Sequence, residues 1–332
     1  MEQVLPNLYR VEVPLPNNPL RALNSYLVVG PRRSLLIDTG LNRAECREAL
    51  LGALTNLGID LASLDFFITH LHADHSGLIG ELAGQEATIY ASAADAAVIN
   101  SMGISTEHWD RMAAYARRSG FPDEILAEAI RKHPGVRFST RRPVPFIAVR
   151  EGYRLVIGDY EFTCITTPGH TPGHVCLYEP NRKILFSGDH ILDHITPNIS
   201  LWSDEENVLA VYLTSLEKVR RLRVELVLPG HRRIFSDCRR RIDELAEHHR
   251  QRLVEIIGIL EDNGALSAYE VAARMRWDLS YSTWEDFPPP QKWFAVGEAI
   301  AHLRYLEERG QIRRAGCDPV ITFAHSENIC PG

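Results

Sequence analysis

The 332-residue chain has no C-x-x-C pair, no surplus of basic charge and no internal repeat or low-complexity tract. It also has no long hydrophobic run: its most apolar stretches, such as residues 254–260, are far too short to span a bilayer, so no membrane association is expected. Residues 1–20 carry Glu2, Arg10 and Glu12 among several prolines, with no basic stretch leading into an apolar one. A secretory leader is therefore not expected. The six cysteines (Cys46, Cys164, Cys176, Cys238, Cys317, Cys330) are scattered, which fits a reducing compartment and disfavours a thiolate zinc knuckle. The cytoplasm is the expected location. With 36 Lys+Arg against 43 Asp+Glu, a net charge of −7 speaks against a protein that coats nucleic acid. A hydrophobic fraction of 45% with 24% charged residues excludes a disordered or collagen-like chain and suffices for a sizeable core. What the chain does have is 14 histidines, more than any aromatic type.

The length suggests two domains, or one large domain with an appendage, at about 150 residues per domain. Residues 8–13, 25–29 and 34–37 read as short strands, and residues 42–57 as an amphipathic helix stopped by Gly58. Residues 66–68 form a short buried strand that runs into a histidine-rich loop, and residues 88–90 form another. Residues 93–140 hold no convincing strand and read as helical, with stops at Gly120-Phe121-Pro122 and Pro134-Gly135. An insertion of this size is usually a lid or a binding loop. Within it, His108, Trp109, Tyr115 and Arg117 could line a pocket, although the core is the favoured place for an aromatic there. Strand signals resume over 146–186 and at 224–228, with a helix near 206–222 between them, which suggests a layered α/β sandwich.

The last ninety residues change character. A long helix over 239–260 is stopped by Asn263-Gly264, and its His248 and His249 are expected to be exposed. A second helix follows Ser267, with Glu270 placed as in a capping box. A third, over 292–309, carries the apolar stripe Val296, Ile300, Leu303, Leu306, and residues 311–313 and 320–323 could pair as a ribbon. Three helices and a small ribbon are the outline of a winged-helix domain. The expected division is a domain over 1–240, with its insertion at about 93–140, and a winged-helix-like domain over 241–325.

The histidines concentrate. Residues 69–75 read Thr-His-Leu-His-Ala-Asp-His. His70 and His72 are two apart on a chain leaving a strand, so their rings can point to one side. Asp74 and His75 are adjacent and diverge, which could serve a second ion. Neutral imidazole and carboxylate together suit Zn²⁺, with Mn²⁺ or Fe²⁺ also compatible. Three further spots have the same form, a strand end, a Gly or Pro turn and a ligand-type side chain. They are His170 and His174 in Pro168-Gly169-His170-Thr171-Pro172-Gly173-His174, Asp189 after Ser187-Gly188, and His231 after Pro229-Gly230. Each alone is ordinary turn chemistry; with the first cluster they make a set.

In this order, H-x-H-x-D-H, G-H-T-P-G-H, S-G-D and P-G-H, the motifs over roughly residues 1–240 resemble the metallo-β-lactamase superfamily of hydrolases. The resemblance implies an αββα sandwich with a dinuclear site at one edge. His70, His72 and His170 would hold one divalent ion, Asp74, His75 and His231 the second, and Asp189 would bridge them. Asp38 matches the family's first motif, where it supports a ligand; read by itself it is equally a cap or turn residue. The insertion and the tail resemble the branch that contains the β-lactamase-like protein two group.

The same resemblance implies a bridging hydroxide as nucleophile, with Asp74 as the catalytic group that holds or shuttles the proton. His174 would stand behind the ligands, and His190 and His194, just after Asp189, either face the substrate or are merely packed or exposed. The acidic balance and the absence of a basic tract point to a small ester, thioester or lactone. The alternative is cleavage of single-stranded RNA, which the branch permits. Residues 239–316, however, hold 12 Lys+Arg against 13 Asp+Glu, so the tail has no basic footprint and could equally mediate a homodimer.

Overall fold

Side chains alternate along the strands between two cores, and this period of two builds the sheet layers. In the computed structural model, which describes residues 1–332 except 205, 279, 280, 282, 317 and 327–332, the chain divides into two compact units. The first comprises residues 1–105, 134–197 and 215–242; the second comprises 106–133, 198–214 and 243–332.

In the first unit a seven-stranded sheet is built in chain order from β1 (Glu2–Leu5), β2 (Leu8–Pro14), β3 (Ala22–Val28), β4 (Ser34–Ile37), β5 (Leu64–Phe67), β6 (Ile89–Ser92) and β7 (Phe146–Val149). Pairing is antiparallel through β4 and parallel from β4 to β7. Parallel strands have both faces covered, which is why β4 is a continuous buried run, Ser-Leu-Leu-Ile. Leu27, Leu36 and Phe66 face one core with Leu50 and Leu54 of the helix Ala44–Asn56. Their neighbours Tyr26, Val28, Leu35, Ile37 and Phe67 face the other.

That second core is shared with a five-stranded sheet, in the order β12 (Leu226–Pro229), β11 (Ile184–Gly188), β10 (Val175–Glu179), β9 (Tyr160–Thr166), β8 (Arg154–Ile157). Phe186 joins the two layers, with its ring centroid 5.3 Å from Tyr26 and 5.6 Å from Phe162. Strands β11 and β12 run parallel, so their C-terminal ends deliver Asp189 and His231 to the same edge. Lys218 of the helix Val208–Arg220 donates to the Thr166 carbonyl at 2.6 Å and fixes that helix segment on β9.

The second unit gathers the helices Glu107–Arg118 and Asp123–Lys132 with the C-terminal segments. Its sheet is β13 (Leu266–Ser267), β15 (Thr322–His325) and β14 (Ile312–Gly316), in that order. Ser267 caps the helix Ala268–Arg274 in a reciprocal capping box with Glu270. The apolar stripe Val296, Ile300, Leu303 and Leu306 of the helix Pro289–Glu308 is buried throughout. Trp293 on the same helix stacks on Trp202 with centroids 3.8 Å apart, and Trp109 is buried in this unit too.

His249 is not exposed as its place on a polar helix suggests: it is fully buried. Its Nδ1 donates to His302 Nε2 at 3.0 Å, and His302 Nδ1 donates to the Glu298 carbonyl at 2.8 Å. His248 beside it is half-buried. Four of the six cysteines are buried free thiols, and Cys317 and Cys330 lie outside the described residues. Among the described residues no helix is long and apolar enough to cross a membrane.

Candidate metal centre

Four strand ends converge on one edge of the two sheets. β5 leads into residues 68–72 and the short helix Ala73–Ser76, which carries Asp74 and His75. The loop after β9 carries His170 and His174 and feeds β10, whose first amide, Val175 N–H, donates to the Thr69 carbonyl at 2.9 Å. That bond joins the histidine loops of the two sheets. Gly230 N–H donates to the Gly188 carbonyl at 2.8 Å, which fixes the ends of β12 and β11 side by side. A Cβ on Gly230 would lie 2.6 Å from Asp189 Oδ1 and 2.7 Å from His75 Cε1, so the close approach requires glycine.

The ligand-type atoms fall into three sets, each within 4.8 Å: His70, His72, His170; Asp74, His75, His231; and His70, His75, Asp189. His70 Nε2 and His72 Nδ1 are 3.1 Å apart, His75 Nε2 and His231 Nε2 3.3 Å, and His231 Nε2 and Asp74 Oδ2 3.4 Å. These match the roughly 3.3 Å edge of a tetrahedron of ligands at zinc–nitrogen bond length. Asp189 stands between the groups, with Oδ1 3.4 Å from His75 and Oδ2 3.7 Å from His170 and 3.6 Å from His231. Its Oδ1 is buried and accepts no hydrogen bond among the described residues. A cation between these lone pairs would satisfy what the protein leaves open. His/Asp donors in this spacing can hold divalent metal.

Burial, reinforced by neighbouring imidazoles, pushes His72 down to about 3 and His70 well below the ordinary histidine range, so both present neutral lone pairs. Burial opposes the charge on Asp189, yet His231 and His75 hold it well below the usual carboxylate range. His72 and Asp74 are the partly exposed members, so the cluster is accessible from their side.

A supporting layer orients these groups. Asp38 Oδ2 accepts from His75 Nδ1 at 2.7 Å and from Thr69 Oγ1 at 2.8 Å, while Oδ1 takes Thr69 N–H at 2.8 Å. His231 Nδ1 donates to the Ala22 carbonyl at 2.7 Å. Such bonds fix the tautomer that leaves the other nitrogen free for a metal. His174 uses both nitrogens within the protein: Nδ1 lies 2.8 Å from Thr167 Oγ1, and Nε2 accepts from Asp189 N–H at 3.1 Å. It therefore aims Asp189. His190 is fully buried and its ring packs 6.0 Å from His174, whereas His194 is exposed beside Arg233, 3.3 Å from Asp193 Oδ2. Neither belongs to a ligand set.

Sequence reasoning missed Asn24, whose Nδ2 donates to the Pro229 and Arg232 carbonyls at 3.0 and 2.8 Å and braces the His231 turn. It also missed Asp95, which ties two ligand loops together. The only signal at Asp95 was Ser92 three residues earlier, and that pattern announces a helix start.

The two-sheet fold and the His/Asp cluster define a class, a metal-capable α/β hydrolase. Residues 19–231 match the metallo-beta-lactamase superfamily, to which the chain belongs, and residues 286–326 match the metallo-beta-lactamase-like C-terminal domain. It is 26% identical over 265 residues to a beta-lactamase-like protein 2 homolog of Caenorhabditis elegans, covering 79% of this chain and 74% of that one. It is 31% identical over 218 residues to the acyl-coenzyme A thioesterase MBLAC2 of Gallus gallus, covering 64% and 73%. The crystal structure of a metallo-beta-lactamase family protein from Thermus thermophilus superposes with a TM-score of 0.82 at 28% identity, covering 97% and 99%.

Proposed function

We propose that the chain hydrolyses the acyl–oxygen or acyl–sulfur bond of a small ester, lactone or, first among these, thioester, with two divalent ions, zinc in the first place. The observation that carries this reading is the pair of three-residue ligand sets on either side of Asp189. The thioester is placed first because a relative covering 64% of the chain is named an acyl-coenzyme A thioesterase. Bound ions of this kind polarise a carbonyl oxygen and supply hydroxide at neutral pH.

The chain's own residues do the rest. His70, His72 and His170 hold one side of the centre and Asp74, His75 and His231 the other, with Asp189 shared between them. Asp38 and the Ala22 carbonyl keep His75 and His231 in the tautomers that leave Nε2 open. Asp74, with a side chain 15% exposed and a carboxylate oxygen 3.4 Å from His231, is placed to take the proton of the nucleophile and pass it to the leaving group. No serine or cysteine nucleophile is required.

Purified protein should lose turnover on a thioester, ester and lactone panel after chelation and recover it with added metal. Asp189→Ala should remove turnover, and unchanged turnover in that variant would end the reading. Cleavage of single-stranded RNA by the wild type, absent in His72→Ala, would replace the carbonyl with a phosphodiester.

A further inference from the structure

Asp95 lies in the first turn of the helix Ala93–Met102, with its own amide capped by Ser92 Oγ at 3.2 Å. Its carboxylate is 1% exposed and accepts three hydrogen bonds from two different loops. Oδ2 takes the Leu71 N–H at 2.9 Å and the Thr171 hydroxyl at 2.6 Å; Oδ1 takes the Gly173 N–H at 2.8 Å. Leu71 stands between His70 and His72, and Thr171 directly follows His170. A Cβ on Gly173 would lie 2.6 Å from Asp95 Oδ1 and closer still to Ser92 Oγ, so the loop is built to meet this carboxylate.

We propose that Asp95 is a positioning residue that sets the distance between the His70–His72 and His170 loops, and so tunes the affinity of that ligand set alone. The inference rests on the metal-hydrolase reading above. One oxygen shared by Leu71 and Thr171 bridges the segments that carry these three histidines beside the ligands themselves, in addition to the Val175 N–H bond to the Thr69 carbonyl. The set of Asp74, His75 and His231 hangs on other supports, Asp38 and the Ala22 carbonyl. Loss of the Asp95 tie therefore loosens one set and spares the other. Groups behind metal ligands commonly change affinity by about 10–100-fold when removed.

The test is zinc competition against a chromophoric chelator with the full chain, comparing wild type, Thr171→Val, Thr171→Ser and Asp95→Asn. Thr171→Val deletes one hydrogen bond with little change of shape. It should lower the affinity for one of two ions by about 10-fold or more and leave the other nearly unchanged. Thr171→Ser, which keeps the hydroxyl, should restore wild-type binding, and Asp95→Asn should act in the same direction as Thr171→Val and further. Equal weakening of both ions, or no change in Thr171→Val, overturns the proposal even if Asp95→Asn fails to fold. Absence of tight zinc binding by the wild type would instead sink the metal-hydrolase reading, and this inference with it.

Discussion

Asp38 adopts φ +61°, a left-handed conformation that aspartate and asparagine tolerate far better than other side chains. Asp38→Asn therefore keeps the backbone and changes only the carboxylate that accepts from His75 and Thr69. With one oxygen replaced by NH₂, His75 loses an acceptor or faces a donor, and its Nε2 is no longer fixed toward the cluster. Zinc affinity should fall by about 10–100-fold with the fold retained, measured by chelator competition and circular dichroism. An unchanged affinity would remove Asp38 from the supporting layer. At this scale the ligand-type residues were legible in the sequence because imidazoles and carboxylates crowd after strand ends. Asn24, Thr69 and Asp95 were not, because their partners are supplied by other segments; Asn24 meets residues more than 200 positions away.

At the scale of elements, period and punctuation located most strands and helices to within a few residues. Strand β1, the partner of β2, escaped, because Glu2–Leu5 is half polar and its register shifts between Gln3 and Leu5. The polar helix Cys238–Asn263 misled at His249, since the partner that buries its ring, His302, lies on another helix. That pair has a measurable consequence. Burial pushes His302 down to about 4, with the Glu298 carbonyl opposing, and pushes Glu298 itself up to about 6, with Arg252 and Asn198 opposing.

A histidine depressed in the folded state contributes stability that is present above its unfolded value and lost as pH falls toward 4. A carboxylate raised in the folded state does the reverse, losing its contribution as pH rises from 4.5 through 6. The two are worth about 3 and 2 kcal/mol at most and oppose each other. His249, also depressed by burial, adds to the histidine sign, while Arg252 and Glu255 border Glu298. His302→Gln should therefore gain on wild type at pH 4.5, and Glu298→Gln should gain on wild type at pH 6.5, both read from urea midpoints. A flat difference between variant and wild type across this range would show that neither group is titrating in place.

For the whole molecule, strand and helix signals suggested a layered α/β sandwich, and the two-sheet hydrolase was legible through the family resemblance that the ordered motifs carry. The meeting of residues 106–133 and 198–214 with the C-terminal helices was hidden, because it depends on packing of Trp202 on Trp293 rather than on any local period. The ligand edge also sets the energetics of the unit that carries it. Five imidazoles and two carboxylates are held within a few ångströms with lone pairs converging, an arrangement that costs desolvation without a cation. A cation that binds only the folded state adds about 4 kcal/mol at a thousandfold excess over its Kd. For a unit of roughly 200 residues this raises Tm by about 8–16 °C. The gain should be local in origin. Amide exchange on adding zinc should slow at Thr69, Val175, Asp189 and Gly230, whose N–H groups donate across the four converging loops. Unchanged exchange there, at zinc concentrations that raise Tm, would mean that the ion binds elsewhere on the chain.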